Sequence, residues 1–222
     1  GLLKHNGPIN NTDHLDTIIG FKNFKNKIDF KKNSSLEAQI AAISDDIAYN
    51  NHDIQDGIKA KLFSLNQLCE INFFKKIYKS YKTKVKNSNR DIIVYQIIRD
   101  SINLMVQDVI KNTLKNIKKY KINNINHVYL NKKKIVNFST KFASIEKEIK
   151  NFLRINMYNN KNVQIKNNNG KKIVKHLFKL IERNPKKFIK NKYINNDKYR
   201  SISDYISGMT DRYAIQLYKM SK

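Results

Sequence analysis

The stretch Ser34–Gly57 reads SSLEAQIAAISDDIAYNNHDIQDG and predicts a long amphipathic helix. Its apolar residues recur at intervals of three, four or seven, which is the spacing of one buried helical stripe. Ser35 stands directly before the first apolar residue, where a serine side chain can cap a helix. The apolar residues that set this periodicity, which continues past Gly57, are Leu36, Ile40, Ile43, Ile47, Ile54, Ile58 and Leu62.

Asp45, Tyr49 and Asp53 follow one another at intervals of four in this helix. At about 100° per residue they share one face over roughly 12 Å, on the side away from the apolar stripe. A carboxylate can bind a hard metal ion, and a phenol or a second carboxylate can bind ligand hydroxyls. On spacing alone, however, a solvated acidic face is the simpler interpretation, because runs of charged residues usually face water.

Three further segments, taken with this helix, resemble the HD-domain deoxynucleoside triphosphate triphosphohydrolases, the bacterial dGTPase-like family. They stand in family order at residues 1–8 (GLLKHNGP), 150–158 (KNFLRINMY, followed by Val163) and 199–214 (YRSISDYISGMTDRYA). The helix and the 199–214 segment are the specific motifs, and the other two are weak alone. The resemblance implies an all-α, HD-domain-like helical bundle that forms a single domain over residues 1–222.

The resemblance also implies roles for individual residues. Asp45 matches the distant Asp that helps to hold a divalent metal ion, which could be Mg²⁺, Mn²⁺ or a similar ion. Tyr49 and Asp53 match the residues that receive the deoxyribose. Lys150 and Tyr158, eight residues apart and so on one face of a continuous helix, match positions that meet the triphosphate and its sugar end. The implied reaction is attack of water on the α-phosphorus of a dNTP, which releases deoxynucleoside and triphosphate.

The family's first His and its His-Asp pair lie upstream of the segment that residues 1–8 resemble. Among the five histidines, only His52 stands directly before an Asp, and that pair belongs to the predicted helix itself. We therefore expect a bundle incomplete at its N-terminus, with three of the four metal ligands and any assignable catalytic residue outside this chain. The metal is expected only when that segment is supplied. Truncation, proteolysis and separate encoding of the segment all stay open.

Composition indicates a helical protein of the cytoplasm. Two prolines and six glycines in 222 residues favour long helices. The absence of an eighteen-residue apolar run and of a signal-peptide pattern predicts neither a membrane span nor export. Cys69 is the single cysteine, which fits a reducing compartment, and its apolar neighbours predict a buried thiol. From the family we also expect a homo-oligomer or association with a chain that carries the HD motif.

The net charge of +26 would ordinarily indicate a nucleic-acid partner. The lysines accompany asparagine and isoleucine throughout, and all three have A/T-rich codons, so the base composition of the gene explains much of the charge. Beside the dNTP substrate we therefore expect no more than weak binding of single-stranded nucleic acid. Two alternatives stay open: an inactive subunit that only binds nucleotide, nucleic acid or a complete subunit, and a basic helical nucleic-acid-binding protein.

The remaining periodicities predict a coarse layout of helices and loops. We expect amphipathic or helical segments at 58–84, 90–118, 140–158, 171–183 and 201–220, with loops at 121–127 and 159–170 and a break at Pro185.

Overall fold

The computed structural model describes residues 7–10, 29–82, 90–190 and 197–221, and this part of the chain is helical without a β-strand. The predicted all-α class is confirmed. Only the last two residues of the N-terminal segment 1–8 fall within the described part. The helices are α1 (Leu36–Lys59), α2 (Leu65–Leu68), α3 (Asn72–Lys82), α4 (Arg90–Lys119), α5 (Ile125–Leu130), α6 (Thr140–Leu153), a π-helical turn (Arg154–Tyr158), α7 (Lys161–Arg183), α8 (Pro185–Phe188), α9 (Lys198–Ser207) and α10 (Asp211–Met220).

The chain divides into two compact units, Gly1–Met157 and Tyr158–Lys222. The first contains α1 to α6, and the second contains α7 to α10. This division does not test the prediction that residues 1–222 form a single domain, which therefore stays a prediction.

The core of the first unit forms where α1 packs against α4 and α6, and where α3 packs against α4. α1 begins as predicted, because the Ser35 hydroxyl accepts a hydrogen bond from the backbone N–H of Ala38 at 3.4 Å. The predicted stripe of α1 is buried at its centre, where Ile47 and Ile54 are 3% and 0% exposed. Burial of such aliphatic side chains is the main force that holds these four helices together.

Polar side chains of α1 and α4 fix the start of α6 against the rest of this unit. The side-chain oxygen of Gln39, in α1, accepts hydrogen bonds from the backbone N–H groups of Ile135 and Val136 at 2.9 and 3.1 Å. Asp108, in α4, accepts hydrogen bonds from the backbone N–H and the hydroxyl of Ser139 at 2.8 and 2.7 Å. Because Ser139 is the N-cap of α6, these contacts set where that helix begins relative to α1 and α4.

The second unit is built around α7, which packs against α8, α9 and α10. Its small core contains Ile181 of α7, Ile202 of α9 and Ile189, each at most 4% exposed. The rings of Phe178 and Tyr199 stack with their centroids 6.2 Å apart beside this core. The predicted break at Pro185 is confirmed, since α7 ends at Arg183 and the proline opens α8.

Three local predictions are wrong. Residues 159–170, predicted as a loop, contain the first part of α7, which the Asn160 side chain caps at the backbone N–H of Asn162. The predicted loop 121–127 contains the start of α5, where Asn124 is the cap. In both cases asparagine, which is unfavourable inside helices, acts at the helix start, where it is favoured.

The third wrong prediction is a single helix over 201–220. The segment forms two helices, α9 and α10, with Gly208 at the C-cap of α9. Asp197 caps α9 through the backbone N–H of Arg200, and Thr210 caps α10 through that of Tyr213. These two caps start separate helices, although the apolar periodicity by itself predicts one continuous helix.

The single cysteine lies at the C-cap of α2. Cys69 is half-buried rather than fully buried, and this burial raises the pKa of its thiol despite the opposing charge of Lys75. The thiol therefore stays protonated at neutral pH, which agrees with a packing role and not with a nucleophilic one.

Candidate functional site

The predicted row lies on the outer face of α1. Asp45 is exposed, Tyr49 is 65% exposed and Asp53 is half-buried. The buried residues Ile47 and Ile54 lie on the opposite side of the same helix, as the 100° spacing requires. The predicted face is therefore present, while the roles of the three residues stay predictions.

Lys150 lies beside this helix because α6 packs against α1. Its Nζ atom is 3.4 Å from Oδ2 of Asp46, the residue that follows Asp45, and 2.6 Å from Oε1 of Glu146. The structure thus brings Lys150 into contact with α1, although Lys150 and Asp46 are 104 residues apart in the chain. Sequence analysis missed Glu146, although its spacing of four residues before a lysine is a known helical ion-pair pattern.

The two carboxylates favour the charged form of Lys150. Partial burial by itself lowers the pKa of this ammonium group. The hydrogen bond and charge of Glu146, with a smaller contribution from Asp46, outweigh burial and raise the pKa above its ordinary value. Lys150 is therefore a cation at neutral pH, and its side chain is still 47% exposed, so an anionic ligand can reach it.

Tyr158 occupies the end of the π-helical turn, in the second unit, and is 46% exposed. The sequence places it on one face with Lys150 by assuming an α-helix through residue 158. This assumption is wrong, because the α-helical hydrogen bonding of α6 ends at Leu153. A π-helical turn has a wider repeat, so spacing of eight residues does not define a shared face across it.

Two asparagines of α1 form part of the buried side of the candidate helix and were missed by sequence analysis. Asn50 and Asn51 are 6% and 0% exposed. The amide nitrogen of Asn51 donates to the backbone oxygen of Ile47 at 2.8 Å. Oδ1 of Asn51 and Nδ2 of Asn50 have no hydrogen-bond partner among the described residues. Buried polar groups of this kind usually find a partner, so these two atoms mark a part of α1 where polar contacts are incomplete.

The described residues do not supply a complete metal site. They contain no group of three or more His, Cys, Asp or Glu side chains close enough to hold one ion. His127 is engaged in hydrogen bonds around the start of α5, and His176 contacts Ser221 and Tyr218. A single exposed carboxylate such as Asp45 is a weak ligand for a divalent cation, which typically takes several oxygen or nitrogen ligands.

A cavity of about 650 Å³ opens at the C-terminal end of α1. Its lining includes Gln55 and Lys59 of α1, Phe63, and Tyr95 of α4. None of the five predicted site residues lines it. The row on α1 and Lys150 thus lie outside this cavity, on an open surface of the first unit.

The 199–214 motif builds a second concave surface, in the second unit. A groove of about 510 Å³ lies between the end of α9 and the start of α10, with Tyr205 and Tyr213 among its lining residues. Burial and the hydrogen bond with Tyr213 raise the pKa of Tyr205 to about 12. The Tyr205 phenol therefore acts as a neutral hydrogen-bonding group of this groove at physiological pH.

Comparison with known proteins gives one family match and several long alignments. Residues 136–220 match the family described as a phosphohydrolase-associated domain. A deoxyguanosinetriphosphate triphosphohydrolase-like protein of Pelagibacter ubique is 61% identical over 219 residues, which are 99% of this chain and 59% of that protein.

Proteins with the same name in Rickettsia felis and Bartonella quintana are 37% and 36% identical over 225 and 229 residues. These alignments cover 98% and 99% of this chain and 58% and 57% of the relatives. The chain thus spans just under three fifths of the length of the curated relatives it matches. The resemblance found in the four sequence motifs is confirmed, since nearly the whole chain aligns with deoxyguanosinetriphosphate triphosphohydrolase-like proteins.

Proposed function

We propose that this chain is the part of a deoxynucleoside triphosphate triphosphohydrolase that binds the sugar and phosphates of its substrate. The single observation that carries the proposal is the contact between Lys150 and Asp46. It joins the helix with the predicted sugar-binding row to the helix with the predicted phosphate-binding cation. The names of the relatives, deoxyguanosinetriphosphate triphosphohydrolase-like proteins, support the same reaction class.

In the proposed reaction, water attacks the α-phosphorus of a dNTP, the bond to the 5′-oxygen breaks, and deoxynucleoside and triphosphate leave. Lys150 binds phosphate oxygens through its ammonium group. Tyr49 and Asp53 hydrogen bond the deoxyribose hydroxyl, and Tyr158 binds near the sugar end of the triphosphate. Lys150, Tyr49 and Asp53, which all lie in the first unit, bind and orient the substrate.

Asp45 is proposed as one ligand of a divalent metal ion. The donors in the described part of the chain do not fit a complete site, since no group of three forms. The proposal therefore requires further ligands, the His and His-Asp motifs of the family, from outside the described residues. A stable association with a polypeptide that carries these motifs, or a homo-oligomer, belongs to the same proposal, as does a cytoplasmic location. No helix in the described ranges combines the length and apolar character that crossing a bilayer needs.

The test joins the chain to a segment with the His and His-Asp motifs, in one polypeptide or as a mixture, and measures triphosphate release from each dNTP. We expect release from the joined protein and none from the chain alone. Asp45→Asn should abolish release, whereas Glu148→Gln, which changes an exposed carboxylate of α6, should not. Absence of triphosphate from every dNTP with any divalent metal would reject the proposal.

The incomplete donor set also favours a second candidate, a subunit that binds nucleotide without hydrolysing it. Equilibrium binding of a non-hydrolysable dNTP analogue separates the two. Binding that Tyr49→Phe and Asp53→Asn weaken, together with no release in the joined protein, would support the binding subunit.

A further inference from the structure

α7 differs in charge from the other long helices. It carries seven lysine or arginine residues and a single acidic residue, Glu182. In contrast, α4 has six basic and three acidic residues, and α1 has one basic and five acidic residues. Residues 158–222 together contain sixteen lysine and arginine residues against four aspartate and glutamate residues. Residues 158–222 thus carry a net charge of +12 out of the +26 of the chain, although they are fewer than a third of its residues.

Five of the basic residues of α7 share one face, which we call the basic strip. At 100° per residue they fall within about 80° of one another, whereas the buried Leu177 and Ile181 lie on the opposite side. All five are exposed, and none forms an ion pair with a described residue. The basic strip consists of Lys161, Lys172, Lys175, Lys179 and Arg183.

The base composition of the gene does not account for the strip. An excess of A/T-rich codons adds lysine to exposed positions along the whole chain, but it does not select one helix. The same gene encodes five acidic residues in α1. Side chains of like charge along one helical face also repel each other, which costs stability unless an anion lies against them. The uncompensated strip is therefore better explained by a polyanionic ligand.

We propose that the basic strip binds the phosphate backbone of a nucleic acid. From Lys161 to Arg183 the strip extends roughly 33 Å along α7. At about 3.4 Å per nucleotide of one strand, this length matches roughly ten phosphates. Lysines bind phosphates as point charges and do not read base edges, so binding is independent of base sequence. The strip contains none of the residues proposed to bind the dNTP.

The experiment compares the full chain with two variants of equal net charge. The strip variant is Lys172→Ala/Lys175→Ala/Lys179→Ala. The control variant is Lys111→Ala/Lys115→Ala/Lys118→Ala, which removes three exposed lysines of α4. The probe is oligo(dT) of roughly 20 nucleotides, longer than the strip. Fluorescence anisotropy gives the affinity between about 50 and 200 mM salt. Circular dichroism checks that each variant keeps the helical content of the parent chain.

We expect the strip variant to bind oligo(dT) more weakly, with the slope of log K against log salt reduced by about 2, because each lost phosphate contact removes about 0.7. The control variant should keep the parent slope, and Lys172→Arg/Lys175→Arg/Lys179→Arg should restore binding. A parallel titration with duplex DNA shows whether one strand or two supply the phosphates.

Three results would overturn the proposal. The first is equal weakening in the strip and control variants, which would mean that net charge alone causes binding. The second is no binding by the parent chain at low salt. The third is tighter binding to phosphatidylserine vesicles than to either oligonucleotide, lost in the strip variant, which would assign the strip to a membrane surface. Because the assay needs no hydrolysis, its outcome is separate from the test of the triphosphohydrolase activity.

Discussion

Nζ of Lys150, in α6, lies 3.4 Å from Oδ2 of Asp46, in α1. The contact joins residues 104 positions apart, next to the first member of the Asp45 row. Both side chains are about half exposed, so the pair contributes at most about 1 kcal/mol to the free energy of unfolding. The pair therefore contributes little to the fold, and the phosphate-binding role proposed for Lys150 can be tested separately from stability.

Replacement of Lys150 by methionine separates a role in phosphate binding from a role in the stability of the fold. In the protein joined to the HD segment we expect kcat/KM for dNTP hydrolysis to fall by about tenfold to a hundredfold, since a charge-assisted hydrogen bond is lost. The free energy of unfolding, measured by urea titration, should change by no more than about 1 kcal/mol. Lys147→Met, which removes an exposed lysine of the same helix, is the control and should leave both quantities nearly unchanged. A large loss of stability with normal kinetics would assign Lys150 to the fold.

Gln39 is expected to be the most sensitive polar residue of α1 for stability. It is 2% exposed and accepts hydrogen bonds from two backbone N–H groups. Its side-chain nitrogen donates a hydrogen bond to the backbone oxygen of Ser34 at 2.9 Å. Gln39→Leu leaves buried N–H groups without partners, so the free energy of unfolding should fall by about 3 kcal/mol in urea titrations. Gln107→Leu, an exposed change in α4, should stay within about 0.5 kcal/mol of the parent chain. Equal effects of the two changes would contradict this assignment.

Replacing either of two helical glycines by alanine should change stability, and the two changes should have opposite signs. A methyl group on Gly57 would meet the ring of Phe63 at 2.3 Å, and this ring is buried against Phe152. Gly57→Ala should therefore destabilise the first unit by about 1 to 3 kcal/mol. Gly170, in α7, has no neighbour within 4 Å of such a methyl group. Gly170→Ala should stabilise its helix by about 0.5 to 1 kcal/mol. Urea unfolding followed by circular dichroism measures the change in the free energy of unfolding of both variants.

Tyr205 makes stability depend on pH in the alkaline range. Its pKa is about 12 in the folded chain and near 10 in an unfolded chain, so the folded state holds the phenolic proton more tightly. Its stabilising contribution is complete below about pH 10 and is lost as the pH rises through about 12. Tyr205→Phe should therefore lose less stability than the parent chain over this range. Tyr199→Phe, in the same helix, is expected to follow the parent chain, and identical curves for all three proteins would refute the prediction.

Local sequence was sufficient for much of the first unit. The apolar repeat and Ser35 predict α1 and its cap, and both are present because helix geometry and capping depend on neighbours within four residues. The outward face of Asp45, Tyr49 and Asp53 follows from the same repeat. The all-α class follows from long periodic segments with few glycine and proline residues.

Local signals were ambiguous where caps compete with periodicity. Asn160 looks like part of an Asn-rich loop, yet it caps α7, and the segment 201–220 looks like one helix until Thr210 starts a second one. The π-helical turn that ends at Tyr158 leaves no signal in the apolar spacing of the sequence. These features depend on which hydrogen bonds the folded backbone selects, and several choices differ little in free energy.

The sequence by itself determined the class of fold, the family and the face of α1 that carries Asp45, because each depends on residues close together in the chain. Only the tertiary structure decided that Lys150 meets Asp46 and that Gln39 holds the segment before α6. These contacts join positions about a hundred residues apart. Chain spacing contains no information about them, since they form only when α1, α4 and α6 bury a common core.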